Sequence, residues 1–202
     1  MNTCSHVLVG NLLYEHLKAE QGIYLEKSSF ISGNVIPDRT SLAVIHPHFM
    51  KFSLGFVQEE IESLSDIYLE SAFVGSDYSK RLGIICHYYA DFFCYAHSNG
   101  YKQVVVNHIK YERLLYEYFQ NNYEKIAGMK YVFSEGISRS AFEINEKTKL
   151  IHAKYADIEP SYGKDLTYAL QACAGTIMSL VYCSCRQTLS EPLEIYREIT
   201  AV

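Results

Sequence analysis

His87 and Asp91 stand four residues apart, and so do His108 and Glu112. On a helix that spacing puts both side chains of a pair on one face. The first pair lies in Leu82-Gly-Ile-Ile-Cys-His87-Tyr-Tyr-Ala-Asp91-Phe-Phe-Cys-Tyr-Ala-His97, a stretch apolar on nearly every side. A helix of that kind belongs in the interior, and an ionised carboxylate there needs a charge partner or a metal. Imidazole and carboxylate are ligands that zinc accepts. One His/Asp pair alone also reads as a hydrogen-bonded core pair. Two pairs on consecutive helices, with His97 between them, point to a metal.

Further candidates lie upstream. Gly33-Asn-Val-Ile-Pro37-Asp38 puts a carboxylate just after a proline, where a turn or N-cap role is the alternative. His46-Pro47-His48 sets two histidines around a proline, so only one easily faces inward. His6 opens the first predicted helix. His16 and His152 have no acidic neighbour at useful spacing and are expected at the surface. The sequence holds no H-E-x-x-H, no E-x-x-H, no His-Asp dipeptide, no P-loop, no G-x-G-x-x-G and no G-x-S-x-G. Zincin, ferritin-like di-iron, nucleotide-fold and hydrolase-elbow chemistry are thereby disfavoured.

The elements that must carry these residues read as helices. The 202 residues are long enough for a large core without disulfides, and 49% apolar with 20% charged residues argues against disorder. Only four prolines interrupt the chain, and apolar residues recur at three- and four-residue spacing. The pattern predicts helices over about Ser5 to Glu20 with Ser5 as N-cap, Pro47 to Leu69, and Ser76 to Ser98 with a stop at Asn99-Gly100. Three more are expected over Lys102 to Ile126, Ser138 to Ala156 and Gly163 to Gln187. No strand alternation is evident, and Gly22 to Ile45 reads as one long irregular connection. Short connections between long helices imply one all-α domain over residues 1–202 with six to eight helices.

The net charge is −5, so no polybasic surface supports a stable nucleic-acid partner. There are 18 Tyr and no Trp, and tyrosines suit half-wet clefts as well as cores. The six cysteines form no C-x-x-C pair and read as reduced thiols, Cys183-Ser-Cys185 being the one pair with a soft-metal alternative. The apolar run Leu166 to Cys185 carries Thr and Ser residues that suit a buried helix better than a membrane span. No basic segment leads into an apolar one near Met1, so no signal peptide is visible and a cytoplasmic location is expected.

Taken together, His6, Gly33-Asn-Val-Ile-Pro-Asp38, His48-Phe-Met-Lys-Phe-Ser-Leu, Leu82-Gly-Ile-Ile-Cys-His87-Tyr-Tyr-Ala-Asp91-Phe-Phe, His97 and His108-x-x-x-Glu112 resemble the zinc-dependent phospholipase C family, related to the single-strand-specific zinc nucleases. Order and spacing match over roughly the first 120 residues. The resemblance implies an all-helical fold around two or three zinc ions. One zinc would sit on Asp38, His48, His87 and Asp91, with His46 as the alternative to His48. A second would sit on His97, His108 and Glu112, and a third on His6 and Asp91, with Asp91 bridging. Asp38 would also serve as general base. In secreted members an amino-terminal Trp chelates the third zinc; here Met1 stands five residues before His6.

The implied activity is hydrolysis of a phosphodiester, with a phospholipid as the leading substrate and at most transient contact with a membrane surface. A zinc nuclease or small phosphodiesterase is the alternative within the enzymes. A metal-bound helical binding protein without turnover is the alternative from another class.

Overall fold

The computed structural model describes residues 1–98, 101, 105–129, 131 and 136–186. Among the described residues the periodic apolar segments form ten α-helices: α1 (Thr3–Gln21), α2 (Lys27–Gly33), α3 (Ile36–Arg39), α4 (Leu42–Ile45), α5 (Met50–Ser65), α6 (Ser76–Phe92), α7 (Val105–Asn121), α8 (Tyr123–Ala127), α9 (Ala141–Ala156) and α10 (Tyr162–Arg186). A 3-10 turn spans Tyr95–His97, and two-residue strands β1 (Tyr24–Leu25) and β2 (Phe73–Val74) pair in parallel. The fold is all-α, as the periodicity predicts.

Several boundaries differ from expectation. The first helix begins at Thr3, because Asn2 caps it by accepting from the Ser5 N–H; Ser5 lies inside the first turn. The Gly22–Ile45 segment is not irregular. It holds β1 and the short helices α2, α3 and α4, which are too brief to show a helical period. The helix predicted from Pro47 starts at Met50, after an extended Phe49. The fourth predicted helix divides at Asn122 into α7 and α8, and its start at 102–104 lies outside the described residues, as do Asn99-Gly100 and Gln187.

The change that matters most is in the third helix. It ends at Phe92, and Phe93 (φ −97°, ψ 29°) breaks it before the 3-10 turn. His97 therefore leaves the axis of α6 and reaches the site from a separate turn.

Helix α6 is the central element. Leu82, Ile85, Cys86, Tyr88, Tyr89, Ala90 and Phe92 are all buried on it, with neighbours on α2, α5 and α10. Truncating a fully buried Leu such as Leu82 to Ala costs about 2–5 kcal/mol by the usual transfer-plus-cavity sum. Against α2 the approach is closer than ordinary side chains permit. A Cβ on Gly33 would lie 2.1 Å from the Lys80 carbonyl oxygen, and one on Gly83 would lie 2.3 Å from that of Phe30. Two glycines thus bring the backbones of α2 and α6 into contact.

Helix α10 is long and apolar enough to cross a membrane by length and composition alone. In the structure it packs on α1, α5, α6, α7 and α9, and Leu166, Leu170, Ile177 and Leu180 are buried there. The six cysteines are free thiols, with Cys4 exposed and Cys86, Cys94, Cys173 and Cys185 buried.

Candidate metal centre

The contact between α2 and α6 positions the first ligand. It sets the carbonyl of Asn34, at the C-terminus of α2, 2.9 Å from Nδ1 of His87. A carbonyl only accepts, so Nδ1 carries the proton and Nε2 keeps its lone pair for the site. Asp91 lies one turn further along α6, fully buried. Asp38 comes from α3, where Pro37 opens the turn and the Thr3 hydroxyl donates to its Oδ2 at 2.7 Å.

His48 sits just before α5. The hydroxyl of Tyr88 donates to the carbonyl of His46 at 3.0 Å and holds this segment against α6. The two histidines around Pro47 then part. The His46 ring stacks on Phe56 with centroids 4.0 Å apart, while His48 faces Asp91 and Asp38. His97 arrives from the 3-10 turn, His108 and Glu112 from α7, and His6 from α1, its ring stacked on that of His87 at 3.8 Å.

Asp91 is the hub. Its Oδ2 lies 3.0 Å from His48 Nδ1 and 3.4 Å from His87 Nε2. Its Oδ1 lies 3.4 Å from His6 Nε2 and 3.5 Å from His97 Nε2. Asp38 Oδ1 lies 3.7 Å from both His48 Nδ1 and His87 Nε2. On the other side, Glu112 Oε1 is 3.1 Å from His97 Nε2 and 3.1 Å from His108 Nε2. All eight residues singled out in the sequence converge. They form three neighbouring groups, His6/His87/Asp91, Asp38/His48/His87 and His97/His108/Glu112, with the ligating atoms in each within 4.8 Å of one another.

The donor set fits zinc. Ligands about 2.0–2.2 Å from a tetrahedral zinc stand about 3.4 Å from one another, and the pairs around Asp38 and Glu112 span 3.1–3.7 Å. Both ring nitrogens of His6, Nε2 of His48 and Nε2 of His87 are buried without a hydrogen-bond partner. Buried polar atoms ordinarily have one, so several at a single place mark a site built for a ligand.

The electrostatics agree. Burial, and then the neighbouring His6, hold His87 well below the usual imidazole range, and burial also lowers His97. Both are therefore neutral at pH 7, as ligands must be. Burial alone would raise the Asp91 carboxyl, but the Met1 ammonium, His97, His6 and the hydrogen bond from His48 together outweigh it and keep the group well below the carboxylate range. Hydrogen bonds from His108 and His97 likewise overcome burial and lower Glu112.

The α-amino group of Met1 adds to the cluster. It bonds Asp91 Oδ1 and lies 3.1 Å from His97 Nε2 and 3.2 Å from Glu112 Oε1. Burial opposes its charge, yet Asp91, Cys94 and Glu112 prevail and raise its pKa to about 12. Positive charge is thus strongly favoured between these carboxylates.

Two histidines set aside as surface residues are half-buried. His152 meets the Phe92 carbonyl at 3.1 Å through Nε2, and His16 packs edge-on against Tyr131. The His152 partner is backbone distant in sequence, whereas His16 has an acidic neighbour four residues on in Glu20 and keeps its buried Nε2 without a hydrogen bond. The sequence pattern also passed over Asn34, whose contribution is a carbonyl that any residue carries.

Comparison with curated proteins and with solved structures returns no match. A scan against family models does: the model for zinc-dependent phospholipase C matches residues 5–162, which takes in the eight helices α2 to α9 complete, most of α1, and all eight clustered residues. The match covers well over half of the 202 residues, and the chain belongs to the zinc-dependent phospholipase C family.

Proposed function

We propose that this protein hydrolyses the glycerol–phosphate bond of a phospholipid with the help of zinc held by the clustered residues. The observation that carries this reading is the adjacency of three imidazole–carboxylate groups around Asp91. Asp38, His48, His87 and Asp91 would hold one zinc, and His97, His108 and Glu112 a second. His6 and Asp91 would hold a third, and the Met1 amine would be a further nitrogen donor to it once zinc had displaced its proton.

Bound zinc supplies Lewis acidity to the phosphate oxygens, on which negative charge grows as the phosphodiester is attacked. The remaining work falls to the chain. Asp38 is partly exposed at the edge of the cluster, and Thr3 fixes the orientation of its carboxylate. In this reading it would accept a proton from the water that attacks phosphorus. The bond from phosphorus to the glycerol oxygen would break, the water oxygen staying on the phosphomonoester and the proton accepted by Asp38 passing to the departing diacylglycerol oxygen. His87 and Asp91, both fully buried, present their ligating atoms from a helix that cannot shift without disturbing the core.

A cleft of about 320 Å³ borders the cluster at His97, and its walls include Met50, Lys51, Tyr95, Asp157, Glu159 and Lys164. The test is incubation of zinc-loaded protein with a phospholipid in mixed micelles and, separately, with single-stranded DNA. Zinc-dependent release of diacylglycerol supports the proposal. Faster cleavage of the DNA would assign the same centre to a nuclease, and turnover of neither would leave a metal-bound binding protein.

A further inference from the structure

Helix α7 brings His108 and Glu112 to the site, but the part that does so is poorly anchored by packing. Its buried side chains are Leu115 and Phe119, both beyond the ligands. Val105, Val106 and Ile109, in the turns that carry His108, are exposed. The 3-10 turn with His97 is a separate short segment. Something other than apolar burial must hold these two pieces in register.

Asp165 does so. It lies on α10 and is fully buried. One oxygen, Oδ2, accepts both the backbone N–H of Tyr95 and the hydroxyl of Tyr111, each at 2.9 Å. The other, Oδ1, accepts the hydroxyl of Tyr155 on α9 at 2.8 Å. Tyr95 stands two residues before His97, and Tyr111 directly precedes Glu112. A single buried oxygen therefore ties the segment bearing one ligand to the helix bearing the other two. Among the described residues Asp165 takes part in no ion pair. A buried carboxylate without a cation is costly, and its three convergent donors are what it has in return. An additional bond, from Asn2 Nδ2 to the Glu112 carbonyl at 3.4 Å, is longer and weaker.

We propose that Asp165 is a positioning residue for the His97/His108/Glu112 group, acting through Tyr95 and Tyr111 to set the separation of those ligands. The inference rests on the reading of that group as a zinc site. Partners that orient ligands from behind commonly change metal affinity by about 10–100-fold when removed.

The geometry contains its own control. Tyr155 accepts the same role toward α9, and α9 bears none of the eight ligands. Loss of its hydroxyl removes a bond to Asp165 without releasing the metal-bearing segments. The experiment is a zinc titration of metal-stripped protein against a chelator of known affinity, for wild type, Asp165→Asn, Tyr111→Phe and Tyr155→Phe, with thermal unfolding of each. The zinc bound by the group is identified as the one lost in His108→Ala.

The expected result is that Asp165→Asn weakens that zinc about 10–100-fold, and that Tyr111→Phe weakens it in the same direction. Tyr155→Phe should lower Tm and leave zinc affinity as it was. Should Asp165→Asn fail to fold, Tyr111→Phe compared with Tyr155→Phe decides the matter. Unchanged affinity in Tyr111→Phe, or equal weakening in Tyr155→Phe, overturns the inference and leaves Asp165 a purely structural anchor. A wild-type chain that binds no zinc at all overturns the reading of the site, and the inference with it.

Discussion

The Asn34 carbonyl stands 2.9 Å from Nδ1 of His87, and this one bond joins the packing of the fold to the chemistry of the site. It fixes which ring nitrogen faces the cluster. It depends on α2 lying against α6 closely enough that Gly33 and Gly83 have no space for a side chain.

Gly83→Ala should therefore damage both stability and metal binding. Its Cβ would fall 2.3 Å from a backbone oxygen, so α2 must move away and carry Asn34 with it. Overpacking of this kind costs about 1–3 kcal/mol or more. Thermal unfolding and a zinc titration check the two effects, and a variant as stable as wild type would show that the helices can separate freely. Gly55→Ala, where the added methyl meets nothing within 4 Å, is the matched control.

Asp38→Asn should separate chemistry from folding. The amide keeps an oxygen that can accept from Thr3 but cannot take a proton from water. Turnover of phospholipid should fall by about 10²–10⁴-fold, the usual contribution of a general base, with little change in Tm. Undiminished kcat would remove Asp38 from the proposed role.

Glu26 gives a pH-dependent prediction away from the centre. It caps α2 by accepting from the backbone N–H groups of Ser28 and Ser29. Hydrogen bonds from Ser29, and then Ser28, lower its pKa from 4.5 to about 2. A carboxyl whose folded pKa is depressed stabilises the fold above its unfolded pKa and loses that effect as pH falls through the folded one. Wild type should thus exceed Glu26→Ala in stability above about pH 5, and the difference should shrink between pH 4.5 and about 2. Denaturant melts across that range test it; a difference that grows on acidification would contradict the capping role.

Much of the centre was legible because its residues carry their chemistry in their side chains. His87 and Asp91 declare one helix face by spacing alone, and an apolar helix bearing both needs a reason to bury them. The choice between His46 and His48 was not decidable from spacing, because it turns on the rotation of a proline-containing segment that Tyr88 anchors from α6. The break after Phe92 was equally hidden. Phe93, Cys94, Tyr95 and Ala96 are apolar or aromatic and extend the helical pattern, whereas the observed turn answers to Asp165 on α10, about 70 residues away. Asp165 and Asn34 act on ligands from behind; Asp165 has no motif, and Asn34, although it stands in Gly33-Asn-Val-Ile-Pro-Asp38, acts through a carbonyl that any residue carries. The short helices α2, α3 and α4 leave no sequence signature for a different reason: spans of four to seven residues are too brief for a 3.6-residue period to register.

The central claim is that the eight clustered residues form a zinc centre. The most direct measurement is the metal content per chain of untagged protein purified without chelator and without added metal. The account predicts bound zinc, up to one ion for each of the three ligand groups. No bound metal, and no uptake when zinc is supplied to the stripped protein, would contradict it and return His87, Asp91, His108 and Glu112 to hydrogen-bonded pairs within a helical core.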